Sequence, residues 1–250
     1  MTLLLAAMAP AAAQKKSTSP LTYFYLDPKP EKLVGFLDSY AKNPTDWMAY
    51  PPMVGFYAIV FRQFPDWVDR LSPSVFDSKT AVTVAVAYKL SALSPMPAPL
   101  HDRLFSTQPD PRLQAEFPHL PARVEDVAIR TPTDLDVMWG AFSASGDERY
   151  VRKILAFLAA TIDPAPELGI DVTRLTVALS NPDAGKKIFP ELRAKYDDTR
   201  LHQLANASTA QWALVSNAVQ HAKIRQIVDA YSAEHPDSVT TSSLAALLKK

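Results

Sequence analysis

Residues 134–160, DLDVMWGAFSASGDERYVRKILAFLAA, show most clearly how this chain folds. Apolar residues in the first half are spaced i, i+3, i+4 and i+7, which places them on one helical face: Leu135, Met138, Trp139 and Phe142. Gly146 can adopt the left-handed backbone that ends a helix, and Asp147 offers a carboxylate to the free N–H groups of the next helix. The second half repeats the apolar spacing with Val151, Ile154, Leu155 and Leu158. The stretch therefore predicts two amphipathic helices joined by a tight turn.

The same arrangement occurs at two other places in the chain. In each, an aromatic residue precedes an apolar run by the same interval: Phe56 before Val68, Trp139 before Val151 and Trp212 before Ile224. The aromatic residues are separated by roughly twice the period of helical-hairpin repeats. We therefore expect an all-α fold, an array or irregular bundle of αα-hairpins with no substantial sheet. The alternative is that unrelated amphipathic helix pairs share this spacing by chance.

The third pair has no strong turn signal. Residues 207–235 contain neither Gly nor Pro, so helix propensity alone favours one long helix. Alignment of the three pairs on their aromatic residues predicts a helix from about Ser208 to Ala218 and a second from about Lys223 to Glu234. The break between them is then expected within Val219–Ala222.

Other elements are placed by prolines, capping residues and apolar spacing. We expect residues 21–26 to form an extended arm on a first helix within 28–42, and short helices around 100–106 and 112–117. Residues 72–93 fit a strand or a helix, and we expect a helix because a lone strand would have no ladder partner. Later helices are expected to begin at Asp171 as a cap, at Pro182, at Pro190 and at Val239.

Domain organisation follows from length and proline content. The 250 residues, 48% of them hydrophobic, suffice for one domain over residues 20–250. Residues 94–121 contain seven prolines and are the expected linker if there are two lobes.

Composition argues against several classes of function. The 26 basic and 26 acidic side chains leave no net charge, which argues against a nucleic-acid partner. The chain has no Cys and no close pair among its five His, so we predict no metal and no cofactor. The six Gly form no phosphate-binding loop, and no serine-hydrolase motif occurs. No apolar run reaches the roughly 18 residues that would cross a membrane.

The first 13 residues, MTLLLAAMAPAAA, are typical of the apolar part of a signal peptide that ends in small residues. The run lacks the usual Lys or Arg at its start, so an upstream start or an Ala-rich tail is the alternative. We expect residues 1–19 to be a signal peptide and leader, and the protein to be periplasmic or secreted.

Six residues are candidates for a ligand or partner site. Asn217 and His221 form a polar pair at the predicted break, Asp147, Arg149 and Arg152 form a charged group at the central turn, and Trp67 is an aromatic residue that could lie on a concave face. The alternatives are helix-capping residues, solvated charges and a core anchor. None of the six is expected to be catalytic.

Two strings also resemble a known group of proteins. Trp139-Gly140-Ala141-Phe142, followed by Gly146-Asp147 and Val151, resembles a group of uncharacterised bacterial proteins that are often exported. The segment from Ser216 to His221 is similar to their C-terminal signature. More loosely, the hairpins resemble tetratricopeptide-type repeats, although the full consensus of that repeat is absent. The resemblance implies an all-α exported protein and transfers no catalytic residue.

These observations favour an exported, helical-repeat-like binding or scaffold protein with a protein or peptide partner. One alternative is an enzyme without a recognisable motif, of a hydrolase-like kind. Another is a carrier of a lipid or a small apolar molecule. The sequence does not indicate the oligomeric state.

Overall fold

The computed structural model describes residues 21–42, 50–106 and 117–249, and over these ranges the chain is all-α. Its α-helices are α1 (Phe36–Lys42), α2 (Tyr50–Gln63), α3 (Val68–Leu71), α4 (Ser78–Leu90), α5 (Ala98–Ser106), α6 (Pro132–Ser145), α7 (Glu148–Ile162), α8 (Pro166–Ser180), α9 (Pro182–Lys195), α10 (Asp198–Gln220), α11 (Ala222–Glu234) and α12 (Val239–Leu248). Short 3₁₀ helices occur at Phe24–Leu26, Pro30–Leu33, Pro65–Trp67, Phe117–His119 and Val124–Asp126. The predicted fold class is confirmed.

The helices fall into two compact units. One unit is Thr18–Val151, and the other contains Arg152–Lys250. The division lies inside α7, whereas the sequence pointed to residues 94–121 as the linker. Helices α6 and α7 therefore belong mainly to different units, although they flank the predicted central turn.

The central turn itself forms as predicted. Gly146 has a φ of 64°, in the left-handed region, and its N–H donates to the carbonyl of Phe142 at 2.6 Å. The Asp147 carboxylate accepts the N–H of Arg149 at 3.0 Å and so caps the start of α7. Pro132 occupies the first turn of α6, behind the Thr131 cap.

In the Thr18–Val151 unit, α2 lies between α4 and α6. The backbones of α2 and α6 approach closely because glycines stand at the contact. A Cβ on Gly55 would overlap the carbonyl of Val137, and a Cβ on Gly140 would overlap that of Pro52. The Phe24 ring packs edge-on against Phe56 of α2 at 5.3 Å between centroids.

In the Arg152–Lys250 unit, α8 packs against α9, α10 and α12, and α10 also packs against α11. Buried polar groups join three of these helices. The hydroxyl of Thr176 donates to Gln211 Oε1 at 2.7 Å, and Gln211 Nε2 donates to the hydroxyl of Ser243 at 2.9 Å. Asp163 accepts hydrogen bonds from Ser238 and Thr240 and thereby holds the start of α12.

The predicted break in the third helix pair is confirmed. Helix α10 ends at Gln220 and α11 begins at Ala222, with His221 between them at φ −133° and ψ 106°. The predicted start of the first helix is wrong, because α10 begins at Asp198 behind the Asp197 cap. In the first pair, the second helix α3 is only four residues long. The pairs differ this much in length, so the repeat interpretation stays a prediction.

Among the remaining elements, helices α4, α5 and α12 confirm their predictions. Three other predictions are wrong. Residues 24–26 form a 3₁₀ turn instead of an extended arm, because Phe24 is buried against Phe56. Helix α8 begins at Pro166, so Asp171 lies within it instead of capping it. Helix α9 continues through Pro190, whose missing N–H leaves the carbonyl of Lys186, an exposed residue, without its helical donor.

Most of the helix expected at 112–117 lies outside the described residues, as do residues 1–19.

Candidate functional site

Two of the sequence-predicted site residues, Asp147 and Arg149, come together with four side chains that the sequence did not indicate. We call the group the arginine cluster, and its members are Arg62, Arg123, Glu125, Asp147, Arg149 and Tyr150. All six belong to the Thr18–Val151 unit.

Three elements position the arginine cluster. Arg62 lies in the last turn of α2. Glu125 lies in the 3₁₀ helix Val124–Asp126, which is anchored by the fully buried Val124. Arg149 and Tyr150 lie in the first turn of α7, directly after the Gly146 turn, and Tyr150 is only 1% exposed. The turn therefore determines where α7 presents its first charged residues.

The carboxylate of Glu125 is at the centre of the cluster. Arg62 donates from Nη1 to Oε2 at 3.1 Å and from Nη2 to Oε1 at 2.8 Å. The Tyr150 hydroxyl donates to the same Oε1 at 2.8 Å. Such a two-pronged guanidinium–carboxylate pair is stronger and more directional than a single charged contact.

These contacts determine the ionisation states of Glu125 and Tyr150 near neutral pH. Burial alone would raise the pKa of Glu125, but the hydrogen bonds from Arg62 and Tyr150 outweigh it and lower that pKa to about 2. Burial, followed by the hydrogen bond to Glu125, raises the pKa of the Tyr150 hydroxyl. Glu125 is therefore ionised and Tyr150 neutral near neutral pH. Neither group is suited to exchange protons with a substrate there.

The other two arginines of the cluster lie nearer to solvent. Arg123 Nε is 3.7 Å from Glu125 Oε2, and Arg149 Nη1 is 3.7 Å from Glu125 Oε1. Their side chains are 56% and 58% exposed. Arg149 also pairs with Asp147 through Nε at 2.6 Å. The arrangement can hold anions, because guanidinium N–H groups remain available at its surface.

The remaining candidate residues are separate from the cluster. Arg152 forms a two-pronged pair with Glu234 of α11, at 2.7 and 3.0 Å. His221 is only 6% exposed, and burial lowers its pKa. The Asn217 carbonyl accepts the His221 N–H at 2.8 Å, so both residues take part in ending α10. These three residues lie in the Arg152–Lys250 unit.

Trp67, the aromatic candidate, is partly buried in its 3₁₀ turn after α2. The guanidinium of Arg70 lies 4.2 Å from the centre of the Trp67 ring system. Trp139 and Trp212 are also partly buried, and Trp47 lies outside the described residues. None of the three described Trp residues is fully buried, so Trp67 is neither a fully buried core anchor nor a fully exposed aromatic residue.

One acidic side chain outside the cluster is unusual. Asp136 of α6 is partly buried, and burial raises its pKa to about 6. Burial is the only cause of this shift, so no neighbouring cation or hydrogen bond offsets it. Asp136 is the described carboxyl group best matched to proton transfer near neutral pH.

The sequence missed Arg62, Arg123, Glu125 and Tyr150 because their proximity is tertiary. Arg62 and Glu125 are 63 positions apart, and Glu125 and Tyr150 are 25 apart. No local spacing relates them. The one available signal was the charged run after Gly146, which correctly drew attention to Arg149.

Two other kinds of feature are absent from the described ranges. No group of three or more His, Asp or Glu side chains there could hold a metal ion. No helix among the same residues is both long and apolar enough to cross a membrane.

Comparison of the chain with protein-family models, with characterised proteins and with solved structures gave no match.

Proposed function

We propose that the chain is an exported helical binding or scaffold protein whose partner is a protein or a peptide. The observation that supports this most is a set of apolar side chains, three of them exposed and the fourth, a Trp, partly buried, on two neighbouring helices of the Arg152–Lys250 unit. We call this set the apolar surface, and its members are Ile170, Val177, Trp212 and Val219.

The apolar surface has helical spacing on both helices. Ile170 and Val177 are seven residues apart on α8, and Trp212 and Val219 are seven apart on α10, so each pair lies on one face. Ile170 is 66% exposed and Val219 is 71% exposed. Exposed apolar groups that cluster in this way are typical of surfaces that bind another protein.

A hydrogen bond connects the two helices at this surface. Trp212 Nε1 donates to the hydroxyl of Ser180 at 3.1 Å, and Ser180 lies one turn after Val177. The indole ring is therefore held beside the exposed face of α8, with its polar atom satisfied. An anchored aromatic residue of this kind is frequent at the centre of protein interfaces.

The test compares two aspartate variants of the tagged mature protein in pull-downs from periplasmic extract. The double variant Val177→Asp/Val219→Asp places charges on the apolar surface. Val75→Asp is the matched control, because Val75 is 79% exposed and lies in the other unit. We expect proteins recovered by the wild type to be lost with the double variant and retained with the control. Equal recovery by all three proteins would refute the proposal.

An enzyme remains the second candidate, and Asp136 is the observation that favours it. Its raised pKa suits general acid–base chemistry. Such chemistry usually needs a second reactive group close by, and no charged neighbour contributes to the pKa of Asp136. Binding is therefore the function with more support.

A further inference from the structure

The arginine cluster contains more positive than negative charge. In the ion pairs that the cluster forms within the described ranges, three guanidiniums, those of Arg62, Arg123 and Arg149, lie against two carboxylates, those of Glu125 and Asp147. The chain as a whole has no net charge, so this excess is local.

The hydrogen-bonding capacity of the three arginines is used unequally. Arg62 directs both terminal nitrogens at Glu125. Arg123 and Arg149 approach the same carboxylate from opposite oxygens at 3.7 Å, which is beyond hydrogen-bond distance. Both are more than half exposed, so N–H donors of two guanidiniums face solvent on either side of Glu125.

We infer that Arg123 and Arg149 together bind carboxylate groups of an acidic peptide segment. The site goes beyond the proposed function, because it lies in the Thr18–Val151 unit and does not involve the apolar surface. Glu125 takes no part in the binding contacts. It holds Arg62 and keeps the two exposed guanidiniums close to one another.

The chemistry of the cluster favours a carboxylate over a phosphate. Its arginines already hold two carboxylates, Glu125 and Asp147, in hydrogen-bonded or ion-paired contacts. A peptide carboxylate can meet the exposed N–H groups of these arginines with the same charge-assisted geometry.

The exposure of the two arginines favours a segment with several acidic residues over a single small acid. An exposed ion pair contributes little on its own, because water and salt screen it. Several carboxylates on one peptide make successive contacts at a high effective concentration, which compensates for the weakness of each.

The experiment measures the fluorescence anisotropy of a labelled tetraglutamate peptide with the full chain at low ionic strength. A tetraglutamine peptide is the uncharged control, and inorganic phosphate is the competitor. We expect tetraglutamate to bind and tetraglutamine not to bind, with binding weakened by added sodium chloride. Phosphate should displace the labelled peptide only as well as chloride does at the same ionic strength.

Three variants identify the site. Arg123→Gln and Arg149→Gln should each weaken tetraglutamate binding about twofold to fivefold, the effect of one lost exposed charged contact. Arg225→Gln is the matched control, since Arg225 is 47% exposed, is ion-paired to Asp229 and lies in the other unit. Circular dichroism should show that all three variants stay folded, because each arginine is half exposed.

Several results would overturn the inference. Equal binding of tetraglutamine would show that charge is not recognised. An equal loss with Arg225→Gln would show a general effect of net charge. Displacement of the peptide by phosphate well beyond the chloride effect would assign the two arginines to a phosphate group instead.

Discussion

Tyr57 and Tyr150 are buried almost equally but differ in the environment of the hydroxyl group. Tyr57 is 0% exposed, and its hydroxyl has no hydrogen-bond partner among the residues that the structure describes. Tyr150 is 1% exposed and donates to Glu125. A buried polar group without a partner loses its hydration and gains nothing in exchange, whereas a partnered one recovers most of that loss.

The substitutions Tyr57→Phe and Tyr150→Phe should therefore change stability in opposite directions. We expect Tyr57→Phe to raise the free energy of unfolding by about 1 kcal/mol, because it removes an unpaired buried hydroxyl. Tyr150→Phe should lower it by about 1–2 kcal/mol, because Glu125 loses a donor. Urea denaturation of both variants measures the two changes. A loss of stability in both would contradict the assignment of the Tyr57 hydroxyl as unpaired.

Asp136 predicts a dependence of stability on pH. Its pKa is raised by burial from 3.8 to about 6 in the folded chain, so the folded state binds the proton more tightly than the unfolded state does. The stabilising effect of the protonated form is complete below about pH 4 and is lost as the pH rises through about 6. Asn cannot ionise, so Asp136→Asn avoids the cost of a buried negative charge above pH 6. We expect this variant to have a free energy of unfolding about 2 kcal/mol higher than the wild type at pH 7–8.

Thermal melting from pH 4 to pH 8 measures this effect. The difference in melting temperature between Asp136→Asn and the wild type should grow with pH across this range. Asp237→Asn is the control, because Asp237 is an exposed aspartate on a turn. A constant difference at all pH values would show that Asp136 does not titrate in this window.

Helices α2 and α6 of the Thr18–Val151 unit approach each other closely, and glycine makes this possible. Gly140 faces the carbonyl of Pro52, and Gly55 faces the carbonyl of Val137. In an exposed helix, replacement of Gly by Ala stabilises the helix by up to about 1 kcal/mol. At this contact the added methyl group meets backbone atoms, which cannot rotate away as side chains do.

Gly140→Ala should therefore destabilise the chain by about 3 kcal/mol or more, the upper range for overpacking a core. The matched control is Gly185→Ala in α9, where the new methyl group would meet the edge of the partly exposed Phe189 ring at 3.2 Å. We expect that variant to be neutral or slightly stabilised, since the ring can shift. Chemical denaturation compares the two, and similar effects would argue against a close α2–α6 contact.

The export proposal concerns the whole molecule and rests on residues outside the described ranges. The apolar run 1–13 ends in three Ala residues, which is typical of a cleavage site for a signal peptidase. We expect the protein from periplasmic extract to begin near Gln14. Mass spectrometry of the intact protein from separated cell fractions makes the measurement. Recovery of the uncleaved chain from the cytosol alone would contradict export and would leave the binding surfaces to be tested separately.

The sequence by itself determined most of the local structure of this protein. Apolar spacing located α4, α6 and α7, and the turn chemistry of Gly146 and Asp147 separated the last two. Alignment of the aromatic residues predicted a break within Val219–Ala222, where no Gly or Pro stands, and the break lies at His221. These features depend on residues within one or two helical turns of each other, so they can be predicted from the sequence alone.

Only the tertiary structure decided which helices pair and which charges meet. The partner of α6 is α2, far away in the chain, because Gly55 and Gly140 permit an approach that no local pattern shows. Asp171 resembles a helix cap in sequence, yet it lies inside α8, where its carboxylate accepts from Lys195 and Tyr196 at 2.7 and 2.8 Å. The arginine cluster likewise joins residues from three separate elements. Long-range contacts of this kind are selected by packing of the whole chain, because many faces are apolar enough to pair and only their shapes distinguish them.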